Sequence, residues 1–169
     1  LGELRSVQIF VVGQVRKPGS YTISSLSTLV NALLASGGPT AKGTMRKVQL
    51  KRANKIVTEF DLYDLLQKGD KSKDVALLPG DVIFVPPIGP LAAIGGSVNV
   101  PAIYEIKDGQ KLEDLIAMAG GLSTSAAGQK VAVERILARK NRVVEELNLD
   151  ASGLARTLTD GDIVNVFAL

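Results

Sequence analysis

The feature that most constrains this chain is that it contains one pattern twice. Gly13, Val15, Pro18, Tyr21, Ile23 and Leu29 recur as Gly96, Val98, Pro101, Tyr104, Ile106 and Leu112, each 83 residues later. The register continues through Gly37-Gly38 over Gly120-Gly121, Val48 over Val131 and Arg52 over Arg135. After a small insertion and a later deletion, Leu78-Pro-Gly-Asp-Val-Ile matches Leu158-Thr-Asp-Gly-Asp-Ile. Self-similarity at a fixed offset means two copies of one folding unit. In 169 residues, 46% of them apolar, each copy has about 80 residues, enough for one small core. The expected domains are 1–87 and 92–169, with a linker at about 86–91.

Each copy has the same local plan. In the first, Val7 to Val15 is a β-rich run that stops at Lys17-Pro18-Gly19-Ser20 and restarts at Tyr21. Proline presets φ and glycine supplies a permissive position, so these four residues predict a type II-like turn and a hairpin. A helical period follows, with Ser27 as the expected N-cap, Leu29, Ala32, Leu33 and Ser36 on one side, and Gly37-Gly38 as the C-cap. Lys47 to Lys51 and Ile56 to Phe60 predict a second hairpin bending near Ala53-Asn54. Leu62 to Gln67 predicts a helical turn stopped by Gly69, and Pro79-Gly80-Asp81 delivers a final strand, Val82 to Val85. The second copy predicts strands at Ala92 to Val98, Val131 to Ala138, Val143 to Leu147 and Ile163 to Phe167, with a helix from Lys111 to Ala119. This order gives an α+β fold of two tandem β-grasp (ubiquitin-like roll) domains, each a mixed sheet covered by one main helix. The crossover rule brings the last strand of each back beside its first.

The composition removes whole classes of chemistry. Cysteine and histidine are both absent, so there is no thiol nucleophile, no thiolate or imidazole metal ligand and no imidazole base. A carbohydrate-active enzyme using carboxylates alone is the catalytic alternative, and the expectation is no enzyme, no cofactor and no metal. Asp81 and Asp160-Gly161-Asp162 fall at turns entering the last strands, where aspartate is favoured locally; they lack calcium-loop spacing. Gly37-Gly38 and Gly120-Gly121 follow helices rather than precede them, which makes them caps and not phosphate loops.

No acidic residue occurs between Leu4 and Thr58, while Arg5, Arg16, Lys17, Lys42, Arg46, Lys47, Lys51, Arg52 and Lys55 are basic. The first unit carries net +5 and the second net −2. Such asymmetry suits either an anionic ligand on the first unit or contact between unlike faces in an oligomer. Nucleic acid is disfavoured, because Phe10, Phe60 and Phe84 sit inside apolar strand runs and are expected in the core, leaving no aromatics for stacking. The uncharged stretch Val82 to Tyr104 is long enough to span a membrane. Its four prolines and three glycines break any helix, so it is expected to be strand, linker and strand, with no membrane span. The chain begins at Leu1 without a signal-like segment and is expected to be an internal piece of a longer protein.

VVGQVRKPGSY at residues 11–21, a helix ending in Gly37-Gly38, Val48-Gln-Leu-Lys-Arg52, and the closing Leu77-Leu-Pro-Gly-Asp-Val-Ile-Phe-Val-Pro86 together resemble a known domain. It is the soluble-ligand-binding β-grasp (SLBB) domain of bacterial capsular and exopolysaccharide export proteins of the Wza-like family. The first unit resembles it from Val7 to Pro86. The second, Ala92 to Phe167, is a looser match: Ala102 stands at the place of Gly19, Thr159-Asp160 at that of Leu78-Pro79, and the terminal proline is missing. The resemblance implies a non-enzymatic periplasmic module of an outer-membrane-associated exporter. Its implied partners are a polysaccharide, acidic in keeping with the basic unit, other copies of itself in a ring, and the export machinery of the cell envelope. Cobalamin-binding relatives make a small-ligand or sugar-binding module the alternative, which would need a concave apolar pocket with converging polar groups. The residues expected to contact polymer or a neighbouring subunit are Arg16, Lys17, Tyr21, Arg46, Lys47, Lys51, Arg52 and Tyr104. Tyr21 and Tyr104 have a second reading, in which the ring packs on the core and the hydroxyl reaches backbone.

Overall fold

The computed structural model describes residues 5–169, without the side chains of residues 127–129. The chain divides into two compact units, Leu1–Ile88 and Gly89–Leu169. In the first, β1 (Ser6–Gly13), β2 (Gly19–Ser24), α1 (Leu29–Ala35), β3 (Val48–Arg52), β4 (Lys55–Phe60), α2 (Leu62–Lys68) and β5 (Val82–Val85) follow one another. They form a five-stranded sheet in the order β2-β1-β5-β3-β4. β5 returns parallel to β1 and the other neighbours are antiparallel, so the sheet is mixed, as the β-grasp order requires.

Strict alternation along β1 buries Val7, Ile9 and Val11 and leaves Ser6, Gln8 and Phe10 outward. Val48, Leu50, Ile83 and Val85 continue the inner face, and α1 lays Leu29, Val30, Ala32 and Leu33 on it. Burying each of the valine, leucine and isoleucine side chains contributes about 1.5–3 kcal/mol, which is what holds a seven-residue helix that could not form alone.

Three expectations are corrected by geometry. α1 is capped by Thr28, not Ser27: Thr28 Oγ1 accepts the Asn31 N–H at 3.4 Å, and Asn31 Oδ1 accepts the Thr28 N–H at 3.0 Å. Ser27 instead accepts the Leu77 N–H with its carbonyl. Phe60 is buried as expected, but Phe10, 38% exposed, and the half-buried Phe84 lie on the outer face, because the period of two that buries Ile9, Ile83 and Val85 must turn them away. The third correction concerns the turn at Lys17-Ser20. The β1–β2 ladder ends at Val11 paired with Gly19, and residues 14–18 form an open bend rather than a tight type II turn.

The bend stays open because its backbone is used elsewhere. Gly13, at φ 89°, leaves the strand where a Cβ would stand 2.3 Å from the Val85 carbonyl oxygen. The N–H groups of Arg16 and Lys17 then reach the carbonyls of Gly38 (3.1 Å) and Ser36 (3.0 Å), satisfying groups that the end of α1 leaves exposed. The Lys17 carbonyl accepts the Tyr21 hydroxyl. The β3–β4 hairpin closes at Ala53-Asn54, both with positive φ (50° and 62°), a two-residue turn matching strand twist.

The second unit repeats this with β6 (Leu91–Gly96), β7 (Ala102–Glu105), α3 (Leu112–Met118), β8 (Ala126–Leu137), β9 (Asn141–Asn148), α4 (Ala151–Leu154) and β10 (Asp162–Ala168). Its sheet runs β7-β6-β10-β8-β9, the same order strand for strand. Leu112, Leu115 and Ile116 of α3 are buried together with Val131, Val133, Val164 and Val166. The bend recurs too: Asn99 N–H reaches Gly121 (3.0 Å), Val100 N–H reaches Ala119 (2.8 Å), and the Tyr104 hydroxyl reaches the Val100 carbonyl (2.6 Å). The uncharged stretch is divided among β5, β6 and β7, and among the described residues no helix is long and apolar enough to cross a membrane.

Candidate functional site

The expected contact residues separate into three environments. Arg16 and Lys17 are exposed on the bend at the C-terminal end of β1, with the half-buried Tyr21 beside them through its bond to the Lys17 carbonyl. β3 runs antiparallel to β5, so its start lies at that same end of the sheet and brings Lys47 with it. Lys42 joins them, because Thr40 N–H reaches the Gln14 carbonyl at 2.9 Å and Ile88 N–H the Lys42 carbonyl at 2.8 Å. Among the described residues, Arg16, Lys17, Lys42 and Lys47 have no ion-pair partner. One end of the first unit's sheet is thus positively charged and open to water.

Lys42 is a member that sequence reasoning left out. Its signal was present in the acid-free run, but only the pairing of residues 40–44 with the ends of β1 and β5 shows which end it occupies. At the corresponding places in the second unit stand Asn99, Val100, Ser125 and Lys130, so three of the four cations are missing.

Arg46 and Arg52 are used inside their own unit. Arg46 is 6% exposed and donates to Asp61 from Nε (3.1 Å to Oδ2) and Nη2 (3.0 Å), with its guanidinium 4.7 Å from the Tyr63 ring centroid. Asp61 is also the N-cap of α2, accepting the Tyr63 N–H at 2.9 Å. Arg52 lies at the sheet's opposite end and clamps the fully buried Asp81 through Nε (2.9 Å) and Nη2 (2.8 Å). The second unit keeps this clamp: Arg135 donates to Asp162 from Nε (3.0 Å) and Nη2 (2.8 Å) and to the Thr157 carbonyl. Burial alone would raise both aspartates. The arginine hydrogen bonds and charges and the N–H groups of Leu78 and Thr159 outweigh it and hold both below the ordinary carboxylate value. These clamps tie the loop before the last strand to the middle hairpin, and chemistry at them is structural.

Lys51 and Tyr104 occupy neither place. Lys51 is half-buried on the outer sheet face with Nζ 5.0 Å from the Phe84 ring centroid. Tyr104 is buried in the second unit, and burial pushes its hydroxyl pKa up. Surface depressions of about 240 Å³, over Leu91, Ala93 and Ile103, and about 280 Å³, over Glu146, Asp150 and Arg156, lie open on the second unit. Among the described residues no cluster of three carboxylates could hold a metal ion.

The comparisons with known proteins agree with this architecture. Two family models described as SLBB domain match the chain, one over residues 7–85 and the other over residues 91–146. Two curated relatives, both called Polysialic acid transport protein KpsD, from Escherichia coli, are 30% identical over 107 residues. That alignment covers 63% of this chain and 19% of each relative, so the chain matches about a fifth of their length. The chain carries two SLBB domains in tandem and belongs to the SLBB family.

Proposed function

We propose that this chain is a non-enzymatic module of a capsular or exopolysaccharide export protein, working in the periplasm as part of an outer-membrane-associated assembly. The domain limits adopted for it are 1–87 and 92–169, joined through residues 86–91. Copies of the chain assemble around a conduit, and the first unit contacts the exported polymer. The observation that carries this reading is the unpaired basic end formed by Arg16, Lys17, Lys42 and Lys47, on a family scaffold shared with a polysialic acid transport protein. A polymer with a carboxylate on each residue presents repeated negative charge to such an end, and exposed lysine and arginine hold it through many weak contacts. Tyr21 packs its ring against the core and donates its hydroxyl to the Lys17 carbonyl, which positions the bend that carries Arg16 and Lys17.

The test is binding of the chain to polysialic acid and to neutral dextran at low and high salt. The expected result is binding to the acidic polymer alone, weakened by salt and reduced about tenfold by Arg16→Glu with Lys17→Glu. Equal affinity for both polymers, or no effect of the double substitution, contradicts the polymer-contact reading.

A further inference from the structure

The outward rows of the two sheets correspond strand for strand. In the first unit the central row reads Ser20, Phe10, Val82, Lys51 and Ile56 across β2, β1, β5, β3 and β4. In the second it reads Ile103, Ala93, Ile163, Glu134 and Val144 across β7, β6, β10, β8 and β9. A sheet face turned to water is expected to be polar, yet Phe10, Ile56, Ile103, Ile163 and Val144 are all exposed here.

The two rows differ in complementary ways. Phe10 projects from the first face where the second has Ala93. Around Ala93 lies the depression of about 240 Å³, framed by Leu91, Ile103 and Ile163. Two strands further along, the first face carries Lys51 and the second Glu134. Glu134 is 3.1 Å from Arg142, but that arginine is 63% exposed, so an incoming cation joins a pair that is still solvated. Phe10 and Lys51 are separated by two strand spacings, as are Ala93 and Glu134, about 10 Å in each case. With the strands of the two faces antiparallel, both contacts form at once.

We infer that the outer face of the first unit docks on the outer face of the second unit of another copy, with Phe10 seated over Ala93 and Lys51 against Glu134. The contact is heterologous, using a different face on each partner, so it propagates from copy to copy and closes into a ring or extends into a filament. It deepens the reading that copies of the chain assemble, and is independent of polymer contact at the basic end.

The chain has no cysteine, which makes disulfide trapping clean. Lys51→Cys and Glu134→Cys chains, each shown by circular dichroism to be folded, are mixed and oxidised. The expected product is the mixed dimer, formed faster than either like pair; like pairs forming as fast, or no mixed dimer, overturns the inference. A second measurement uses sedimentation of chains without cysteine, with Ala93→Phe filling the depression from the water side. The inference expects self-association weakened about tenfold or more. Association untouched by Ala93→Phe overturns this surface while leaving assembly standing, and a wild-type chain that stays monomeric at millimolar concentration overturns both.

Discussion

Asp81 and Asp162 show how much one residue's surroundings decide. Each side chain is fully buried at the entry to a last strand, and each is held ionised by an arginine from the middle hairpin. Both folded-state pKa values lie below the unfolded value of about 3.8, despite burial acting the other way. A depressed carboxylate contributes stability that is fully present above its unfolded pKa and is lost as pH falls through its folded pKa. Urea unfolding followed downward from pH 7 is expected to show constant stability from this source to about pH 4, then a loss. The Asp81→Asn, Asp162→Asn double variant is expected to be less stable at neutral pH and to lose less on acidification; parallel profiles would contradict the clamp. Neither clamp was legible in sequence, where Asp81 reads as a turn residue and Arg52 as one of the basic residues expected to contact polymer or a neighbouring subunit. Their contact spans 29 positions and exists only because β5 lies beside β3. Arg46 misleads for the same reason: its charge is visible in sequence, and Asp61, which absorbs it, is brought to it by the fold.

At the scale of elements, helix ends carry the differences between the two copies. α1 begins with a reciprocal Thr28–Asn31 box, whereas at the same place α3 begins with Lys111, whose N–H is accepted by Asp114 at 2.8 Å. Lysine has no oxygen to return to the first turn. Lys111→Thr is therefore expected to stabilise the chain by about 0.5–1 kcal/mol, read as a higher urea midpoint at unchanged slope. Strand and helix identities were legible because their periods of two and near four are local. The expected Val82–Val85 strand is found with those limits, and the helix limits miss by a residue. The bend at residues 14–18 was not legible. Pro18-Gly19 carries the local signal of a tight turn, but the carbonyls of Ser36 and Gly38 compete for its N–H groups and win, and nothing within the motif announces them.

Over the whole molecule, duplication has kept the framework and divided the surface. The sheet order, the bend, the tyrosine-to-carbonyl bond and the arginine–aspartate clamp recur in both units. Three of the four unpaired cations at the bend end do not, since Asn99, Val100 and Ser125 replace Arg16, Lys17 and Lys42. The sequence shows this asymmetry as net charge, +5 against −2, and only the topology sorts the basic run into a contact end, a clamp and a buried pair. Polymer contact is therefore proposed for the first unit alone. Amide chemical shifts of the chain titrated with a short polysialic acid oligosaccharide test that assignment most directly. The expected perturbations fall on residues 14–18 and 36–47 and vanish at high salt, with residues 97–101 and 119–125 unmoved; perturbation of the second bend as strong as the first, or of neither, would contradict it.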